Sequence, residues 1–296
     1  MQAIKLRRAM MFMPGNNPAM LQSAGIYGAD TVIFDLEDAV AITEKDAARH
    51  LVHNAIKRFR YPCEVAVRIN HIQTPFGLKD LEVVLPAKPD LIRLPKAETA
   101  DDIREIDQII TKVEQEHGFE PGCIRMMAAI ETAQGLMNAY QIATASPRMV
   151  ALAIGGEDFI ADLRTTRSKQ GHELFVARSQ LVLAARAAGL MVIDSVFADV
   201  NDEETFIAET KMIKQLGFDG KSVINPRQIR IVKDIFAPSD KEIMQARRIL
   251  KAYQEALDRK SGVIALDGKM IDTPIVNRAE RVLAYAAAAG IKEGLQ

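Results

Sequence analysis

Glycines and carboxylates lie side by side directly after one short apolar segment of the chain. The segment 150–154 is followed by Gly155 and Gly156, and then by Glu157 and Asp158. Glycine lets a backbone approach a ligand closely, and free backbone N–H groups can bind ligand oxygens. Carboxylate oxygens are ligands that Mg²⁺ prefers. We therefore predict that this segment ends in a binding site for an anionic ligand, with a metal ion beside it.

A second carboxylate, Glu131, directly follows the preceding apolar segment, 124–130. If the two segments are neighbouring strands, their ends lie about 4.8 Å apart. Glu131 and Asp158 could then share one hard cation. Mg²⁺ suits such a site, because it commonly takes one or two carboxylates and completes its shell with water and substrate oxygens. The alternative role, for Asp158 or for Thr132, is to cap the helix that follows.

Polar side chains also follow the other apolar segments. Burying so many polar groups without partners would be costly, so the set makes sense if it surrounds a charged ligand or a cation. Together with the two glycines, its members are Glu37, Asp38, Arg68, Asn70, Arg93, Lys96, Glu131, Thr132, Glu157, Asp158, Asp194, Ser195, Asn225, Pro226 and Arg227.

Two basic residues of this set have alternative roles. Arg68 is flanked by apolar residues, where an arginine is costly unless it is paired. It could pair with Glu37 or Asp38, or it could clamp a substrate carboxylate with two parallel hydrogen bonds. Lys96 could form a Schiff base, as in metal-independent aldolases. The carboxylate pair argues against the need for one.

The elements that must position these residues are short apolar segments, each followed by a longer amphipathic one. The apolar segments mostly do not alternate with polar residues, as expected of strands buried on both faces. We predict strands at 9–13, 31–36, 64–69, 91–94, 124–130, 150–154, 191–196 and 222–224. We predict helices at 18–28, 44–58, 100–116, 133–143, 172–187, 201–215 and 226–235, with a further helix at 239–259.

This alternation predicts parallel strands joined by right-handed crossovers. Eight strand–helix units most simply close into a (β/α)8 TIM barrel, with the polar residues at its C-terminal face. An open doubly wound sheet is the alternative. Such a sheet should carry a glycine-rich phosphate turn after its first strand, and the segment MPGNNPAM matches that turn poorly.

The chain is longer than eight units require. We predict a barrel over 1–236 and a C-terminal helical extension with a tail over 237–296. The tail would pack on its own barrel or reach the active site of a neighbouring subunit.

Composition excludes several classes of protein. The 296 residues include 38 basic and 39 acidic side chains, so no global positive field argues for nucleic acid. Cys63 and Cys123 are the only cysteines, which fits a reducing compartment without a disulfide framework. The first apolar run stops at Pro14 without a signal-peptide cleavage pattern, and no run approaches a membrane span. We expect a cytoplasmic protein that does not bind a membrane.

Motifs along nearly the whole chain resemble those of a known family. From Arg8 to about Asp272 they are FMPGNN, FDLEDAV, VRIN, RLPKAE, AAIETAQG, GGEDFIADL, FDGKSVINPRQI and LDGKMID. In this order they resemble the citrate lyase beta subunits, within the wider family of Mg²⁺-dependent acyl-thioester lyases and aldolases. The resemblance implies a (β/α)8 barrel that uses Mg²⁺ to cleave a citryl thioester into oxaloacetate and an acetyl thioester. It also implies a trimer, an acyl carrier subunit and a separate acyl-exchanging subunit, although the thioester could equally be on CoA.

By motif position, the resemblance also implies individual roles. Glu131 and Asp158 would be metal ligands, with Glu131 also beside the substrate. Arg68 and the Gly155–Gly156 backbone would hold a carboxylate of the oxaloacetate part. Glu37 and Asp38 would order water around the metal. Asp272 would be a catalytic acid or base, delivered by the tail of an adjacent subunit.

Three other functions stay open at this point. One is a lyase for malyl-CoA or another 3-hydroxyacyl-CoA, which would need the same polar residues. Another is a metal-dependent aldolase for free pyruvate and aldehydes. The third is an inactive scaffold subunit of a lyase complex, against which the carboxylate pair, Arg68 and Asp272 argue.

Overall fold

Eight parallel strands form a closed barrel in the computed structural model, which describes residues 5–258, 265–267 and 269–291. Each strand pairs with the next along the chain, and the last pairs with the first. The strands are β1 Ala9–Pro14, β2 Thr31–Asp35, β3 Glu64–Arg68, β4 Leu91–Leu94, β5 Arg125–Ile130, β6 Met149–Ile154, β7 Met191–Asp194 and β8 Gly220–Val223. The predicted barrel is therefore confirmed, and the open sheet is excluded.

Helices connect the strands and continue beyond them. In chain order they are α1 Pro18–Ser23, α2 Lys45–Arg58, α3 Gly77–Val84, α4 Ala100–Glu116, α5 Ala133–Met137, α6 Ala139–Ala143, α7 Gly156–Asp162, α8 His172–Ala187, α9 Glu203–Leu216, α10 Pro226–Phe236, α11 Asp240–Asp258 and α12 Thr273–Ala288. Short 3-10 turns cover Ala24–Tyr27, Ile42–Glu44 and Leu85–Ala87. None of the described helices combines the length and the apolar character that a bilayer span requires.

Side-chain capping explains several helix starts. Asn17 accepts a hydrogen bond from the Met20 N–H, with Pro18 in the first turn. Thr99 and Asp102 form a reciprocal capping box at the start of α4. Thr132 accepts from the Gly135 N–H, so the capping role considered for Thr132 is confirmed.

The helix predictions need three corrections. The predicted helix 133–143 is two helices that meet at Asn138, whose side-chain amide donates to the Glu98 carbonyl at 2.8 Å. Two short helices, α3 and α7, were not predicted. The α7 helix begins at Gly156, directly after Gly155, which is its N-cap residue.

The barrel interior follows the two-residue period of its strands. Its buried apolar layer includes Met10, Ile33, Leu91, Met127 and Ile193. Because side chains alternate between the two faces of a strand, residues two or four positions further on point the same way, towards the C-terminal mouth. The positions that point towards the mouth by this alternation are Phe12, Asp35, Arg68, Arg93, Glu131, Gly155 and Ser195.

Two polar residues predicted for the site lie elsewhere. Asp194 follows Ile193 directly and so faces outward, where it accepts from Arg178 Nε at 2.8 Å and Lys221 Nζ at 2.6 Å. The Asn70 side chain donates to Asp80 at 2.6 Å and is buried. Both residues join the barrel to its helices, and the prediction that placed them around a ligand is wrong.

The chain divides into two compact units, one over Arg7–Lys233 and the other containing the described residues 5–6 and 234–291. In the second unit α11 packs against α12. A short antiparallel pair, β9 Ala265–Leu266 and β10 Lys269–Met270, precedes α12. Asp272 caps α12, since its Oδ1 accepts from the Ile275 N–H at 3.2 Å. The division falls between residues 233 and 234, against the predicted 236 and 237.

Candidate active site

A cavity of about 350 Å³ opens at the C-terminal ends of the strands, within the range typical of small-molecule sites. Every strand, or the loop that follows it, contributes to its wall. Nine of the predicted site residues line it, namely Asp38, Arg68, Arg93, Glu131, Gly155, Gly156, Glu157, Asp158 and Ser195. Glu37 lies beside them, with Oε2 2.9 Å from Arg68 Nη1.

The two glycines make room for neighbouring polar side chains. A Cβ at position 155 would lie 2.5 Å from Glu131 Cγ, and a Cβ at position 156 would lie 2.7 Å from Ser195 Oγ. The Gly155 N–H donates to the Ile130 carbonyl at 3.0 Å and so continues the β5–β6 pairing. The prediction that this N–H is free to bind a ligand is therefore wrong, and the close approach that requires glycine is to Glu131.

Glu131 is the strongest sign of a cation site. Its side chain is buried, and its Oε2 has no hydrogen-bond partner within the described part of the chain. Burial, together with the negative charges of Glu37 and Asp158, raises the pKa of Glu131 to about 8. An orphaned carboxylate oxygen among like charges is costly, and a cation would satisfy both the oxygen and the charge. The residues present fit a divalent cation.

The donor set favours Mg²⁺. Within the described ranges no group of three or more His, Cys, Asp or Glu side chains is arranged to hold a metal ion. Glu131 and Asp158 would therefore supply two ligands and leave the others to water and substrate, as is common for Mg²⁺. Asp158 lies in the first turn of α7, and its Oδ1 is 3.4 Å from Lys96 Nζ.

The raised pKa of Glu131 predicts that Mg²⁺ binding releases a proton. Below about pH 8 the carboxyl is mostly protonated without metal, and the cation binds the ionised form. The apparent affinity should therefore rise about tenfold per pH unit below pH 8 and level off above it. Calorimetry in buffers with different ionisation enthalpies measures the released proton. An affinity that does not vary between pH 6 and 9 would contradict the prediction.

Arg68 is held by an acid that the sequence prediction missed. Its Nε and Nη2 donate to the two oxygens of Asp35, each at 2.7 Å. Nη1 also lies 2.9 Å from Glu37 and 3.3 Å from Asp38, so the pairing considered for these residues is present. Although burial opposes ionisation, the hydrogen bonds and charge of Arg68 hold the pKa of Asp35 below its usual value. A substrate carboxylate could reach Arg68 only at its terminal Nη atoms.

Arg93 differs from Arg68 in having no acidic partner among the residues that the structure describes. It is buried at the cavity wall, its Nη1 donates to Ser222 Oγ at 3.3 Å, and its Nε has no hydrogen-bond partner. No carboxylate of the described residues comes within 4 Å of its guanidinium nitrogens. Both guanidinium carbons, of Arg68 and Arg93, lie 4.9 Å from the centroid of the Phe12 ring.

Lys96 lies between two acids and has a left-handed backbone, with φ of 49°. Its Nζ is 3.4 Å from Asp158 and 3.6 Å from Glu37. Burial lowers the pKa of Lys96, but the charges of Glu37, Asp158 and Glu131 outweigh that effect and raise it. A Schiff-base lysine requires a lowered pKa, so this environment argues against that role.

Comparisons with known proteins agree with this geometry. Residues 8–226 match the model of the HpcH/HpaI aldolase/citrate lyase family. The citrate lyase subunit beta of Leuconostoc mesenteroides subsp. cremoris is 50% identical, over 96% of this chain and 94% of that protein. The resemblance seen in the motifs is therefore confirmed.

Two solved structures from Mycobacterium tuberculosis share the fold. The protein CitE, in complex with magnesium, acetoacetate and coenzyme A, has a TM-score of 0.77 and 32% identity, covering 96% of this chain and 98% of CitE. A citrate lyase beta subunit complexed with oxaloacetate and magnesium has a TM-score of 0.68 and 32% identity, covering 80% of this chain and all of that one.

Proposed function

This chain belongs to the HpcH/HpaI aldolase/citrate lyase family, and we propose that it is a Mg²⁺-dependent carbon–carbon lyase that acts on a citryl thioester. The products are oxaloacetate and an acetyl thioester. The observation that carries the proposal is the buried Glu131, which has a carboxylate oxygen without a hydrogen-bond partner among the described residues and lines the cavity together with Asp158. The relatives named as citrate lyase beta subunits support the choice of substrate.

The reaction is a retro-Claisen cleavage, which involves no net oxidation or reduction. The 3-hydroxyl of the citryl group loses its proton, and its carbon becomes the keto carbon of oxaloacetate. The broken C–C bond leaves its electron pair on the carbon next to the thioester. That carbon then takes up a proton to give the acetyl thioester.

The residues of the cavity divide this task. Glu131 and Asp158 would hold Mg²⁺, which would supply Lewis-acid stabilisation of negative charge on oxygen. The terminal Nη atoms of Arg68 bind the carboxylate next to the reacting hydroxyl, while Asp35 fixes the orientation of the guanidinium. Glu37 and Asp38 orient water and balance the charge of Arg68.

Asp272 protonates the acetyl carbon as a general acid. It comes from the C-terminal extension of a neighbouring subunit, so the working form is a homo-oligomer, and we propose a trimer. In the complete system the thioester is carried by an acyl carrier subunit, and a transferase subunit exchanges the acyl groups.

An activity assay with matched substrates tests the proposal. The purified chain should cleave citryl-CoA or a citryl carrier thioester, with little cleavage of malyl-CoA and none of free citrate. A chelator should lower the rate at least about 100-fold, and added Mg²⁺ should restore it.

Other outcomes would overturn the proposal and indicate one of its rivals. Faster cleavage of malyl-CoA would indicate a lyase for a different 3-hydroxyacyl-CoA. Turnover of pyruvate with an aldehyde would indicate an aldolase. No turnover, together with no binding of Mg²⁺ or oxaloacetate by calorimetry, would indicate a scaffold subunit.

A further inference from the structure

One cationic side chain of the cavity has no role in the chemistry described above. Arg93 is 3% exposed, and its Nε has no hydrogen-bond partner in the described ranges. Burial, together with the neighbouring charge of Arg68, lowers the pKa of Arg93 to about 10, so the guanidinium is still charged at neutral pH. A buried cation of this kind costs free energy unless an anion joins it.

Arginines with a structural role in this chain are partnered differently. Arg148 donates to Glu114 with both Nη atoms at 2.7 Å and to Asp107 with Nε at 2.6 Å. Arg178 donates to both oxygens of Asp194. Among the described residues Arg93 makes one hydrogen bond, of 3.3 Å to the Ser222 hydroxyl, and no ion pair, so packing alone does not account for its charge.

The other cations near the cavity are already engaged. Arg68 is paired with Asp35, Glu37 and Asp38, and Lys96 lies between Glu37 and Asp158. Of the described cations at this cavity, Arg93 is therefore the one with an uncommitted charge. It is the register partner of Arg68 on the adjacent strand, and both contact the Phe12 ring. An anion bound at Arg93 would thus lie next to one bound at Arg68.

A citryl thioester has two free carboxylates. One is on the carbon that bears the reacting hydroxyl, and the other is at the end of a CH₂ arm. A malyl thioester lacks the second one. We propose that Arg93 binds the carboxylate of this CH₂ arm and thereby makes the site selective for a dicarboxylic 2-oxo acid over a monocarboxylic one. The inference rests on the proposed function, because it concerns the oxaloacetate part of that substrate.

Oxaloacetate and pyruvate differ only in this carboxylate, so their binding tests the assignment. With Mg²⁺ present, wild-type protein should bind oxaloacetate more tightly than pyruvate. Arg93→Met, of similar length but uncharged, should weaken oxaloacetate binding about 100-fold and leave pyruvate binding unchanged. Arg93→Lys keeps the charge but loses the planar guanidinium that can donate two parallel hydrogen bonds to a carboxylate. It should weaken oxaloacetate binding about tenfold. Arg104→Met, on the exposed face of α4, should change neither.

The ratio of the oxaloacetate affinity to the pyruvate affinity decides whether Arg93 binds the second carboxylate. If Arg93 had a purely structural role, its substitution would weaken the binding of both ligands by the same factor. Equal losses for oxaloacetate and pyruvate, or an unchanged preference in both Arg93 variants, would overturn the assignment. The proposed function fails separately: if wild-type protein binds oxaloacetate selectively but cleaves no citryl thioester, the activity is wrong and the role of Arg93 stands. If Arg93→Met does not fold, the Arg93→Lys ratio alone decides.

Discussion

Glu131→Gln should abolish both Mg²⁺ binding and thioester cleavage. The amide keeps the shape of the carboxylate but removes the charge that the cation requires. We expect kcat/KM to fall at least about 1,000-fold, and no binding heat on titration with Mg²⁺. Glu105→Gln is the matched control, because it is the same change at an exposed position of α4 and should leave both quantities unchanged.

The same variant should not lose stability in the absence of metal. Because the pKa of Glu131 is raised in the folded state, ionising this carboxyl costs more free energy in the folded protein than in the unfolded one. This penalty grows as the pH rises from about 4.5 to about 8 and is complete above pH 8. The midpoint of thermal unfolding of Glu131→Gln, relative to wild type, should therefore increase over this range. A variant that binds Mg²⁺ normally, or that retains activity in excess chelator, would contradict the role of Glu131.

Asp272→Asn should lower kcat about 100-fold to 10,000-fold, the usual contribution of a general acid or base. The substitution separates chemistry from structure, because asparagine caps a helix as well as aspartate does. The α12 cap at Ile275 should persist, so the unfolding midpoint and Mg²⁺ affinity should stay at their wild-type values. Wild-type rates in Asp272→Asn would restrict this residue to its capping role.

Mixing two inactive variants tests where Asp272 acts. If the tail serves a neighbouring subunit, a mixed oligomer of Asp272→Asn and Glu131→Gln chains contains sites with an intact barrel and an intact tail. Equal mixing after dissociation and reassembly should restore about a quarter of the wild-type activity. If the tail serves its own barrel, no chain carries both intact parts, and the mixture stays inactive.

The barrel could be predicted from the sequence because its strands are apolar on both faces. Each strand, from Ala9–Pro14 onward, overlaps a predicted apolar segment, and most differ from it by one or two residues at either end. The site prediction was wrong where it ignored the alternation of side chains between the two faces of a strand. Asp35 is two positions after the inward-facing Ile33, so its side chain also points into the barrel mouth. Asp194 directly follows the inward-facing Ile193, so its side chain points outward.

Other features depend on contacts between distant parts of the chain. The glycine at 155 is required by the side chain of Glu131, which is 24 positions earlier. Arg68 and Arg93 look alike as strand arginines, and only the folded chain shows that Asp35 pairs with Arg68, whereas no described acid pairs with Arg93. Local patterns therefore identified most members of the site but not their partners.

A crystal structure with oxaloacetate and Mg²⁺ tests the central claim most directly. The account predicts one ion that contacts an oxygen of Glu131 and an oxygen of Asp158, each at about 2.1 Å, with oxaloacetate completing its shell. An ion bound elsewhere, or two carboxylates turned away from each other with no ion between them, would contradict it.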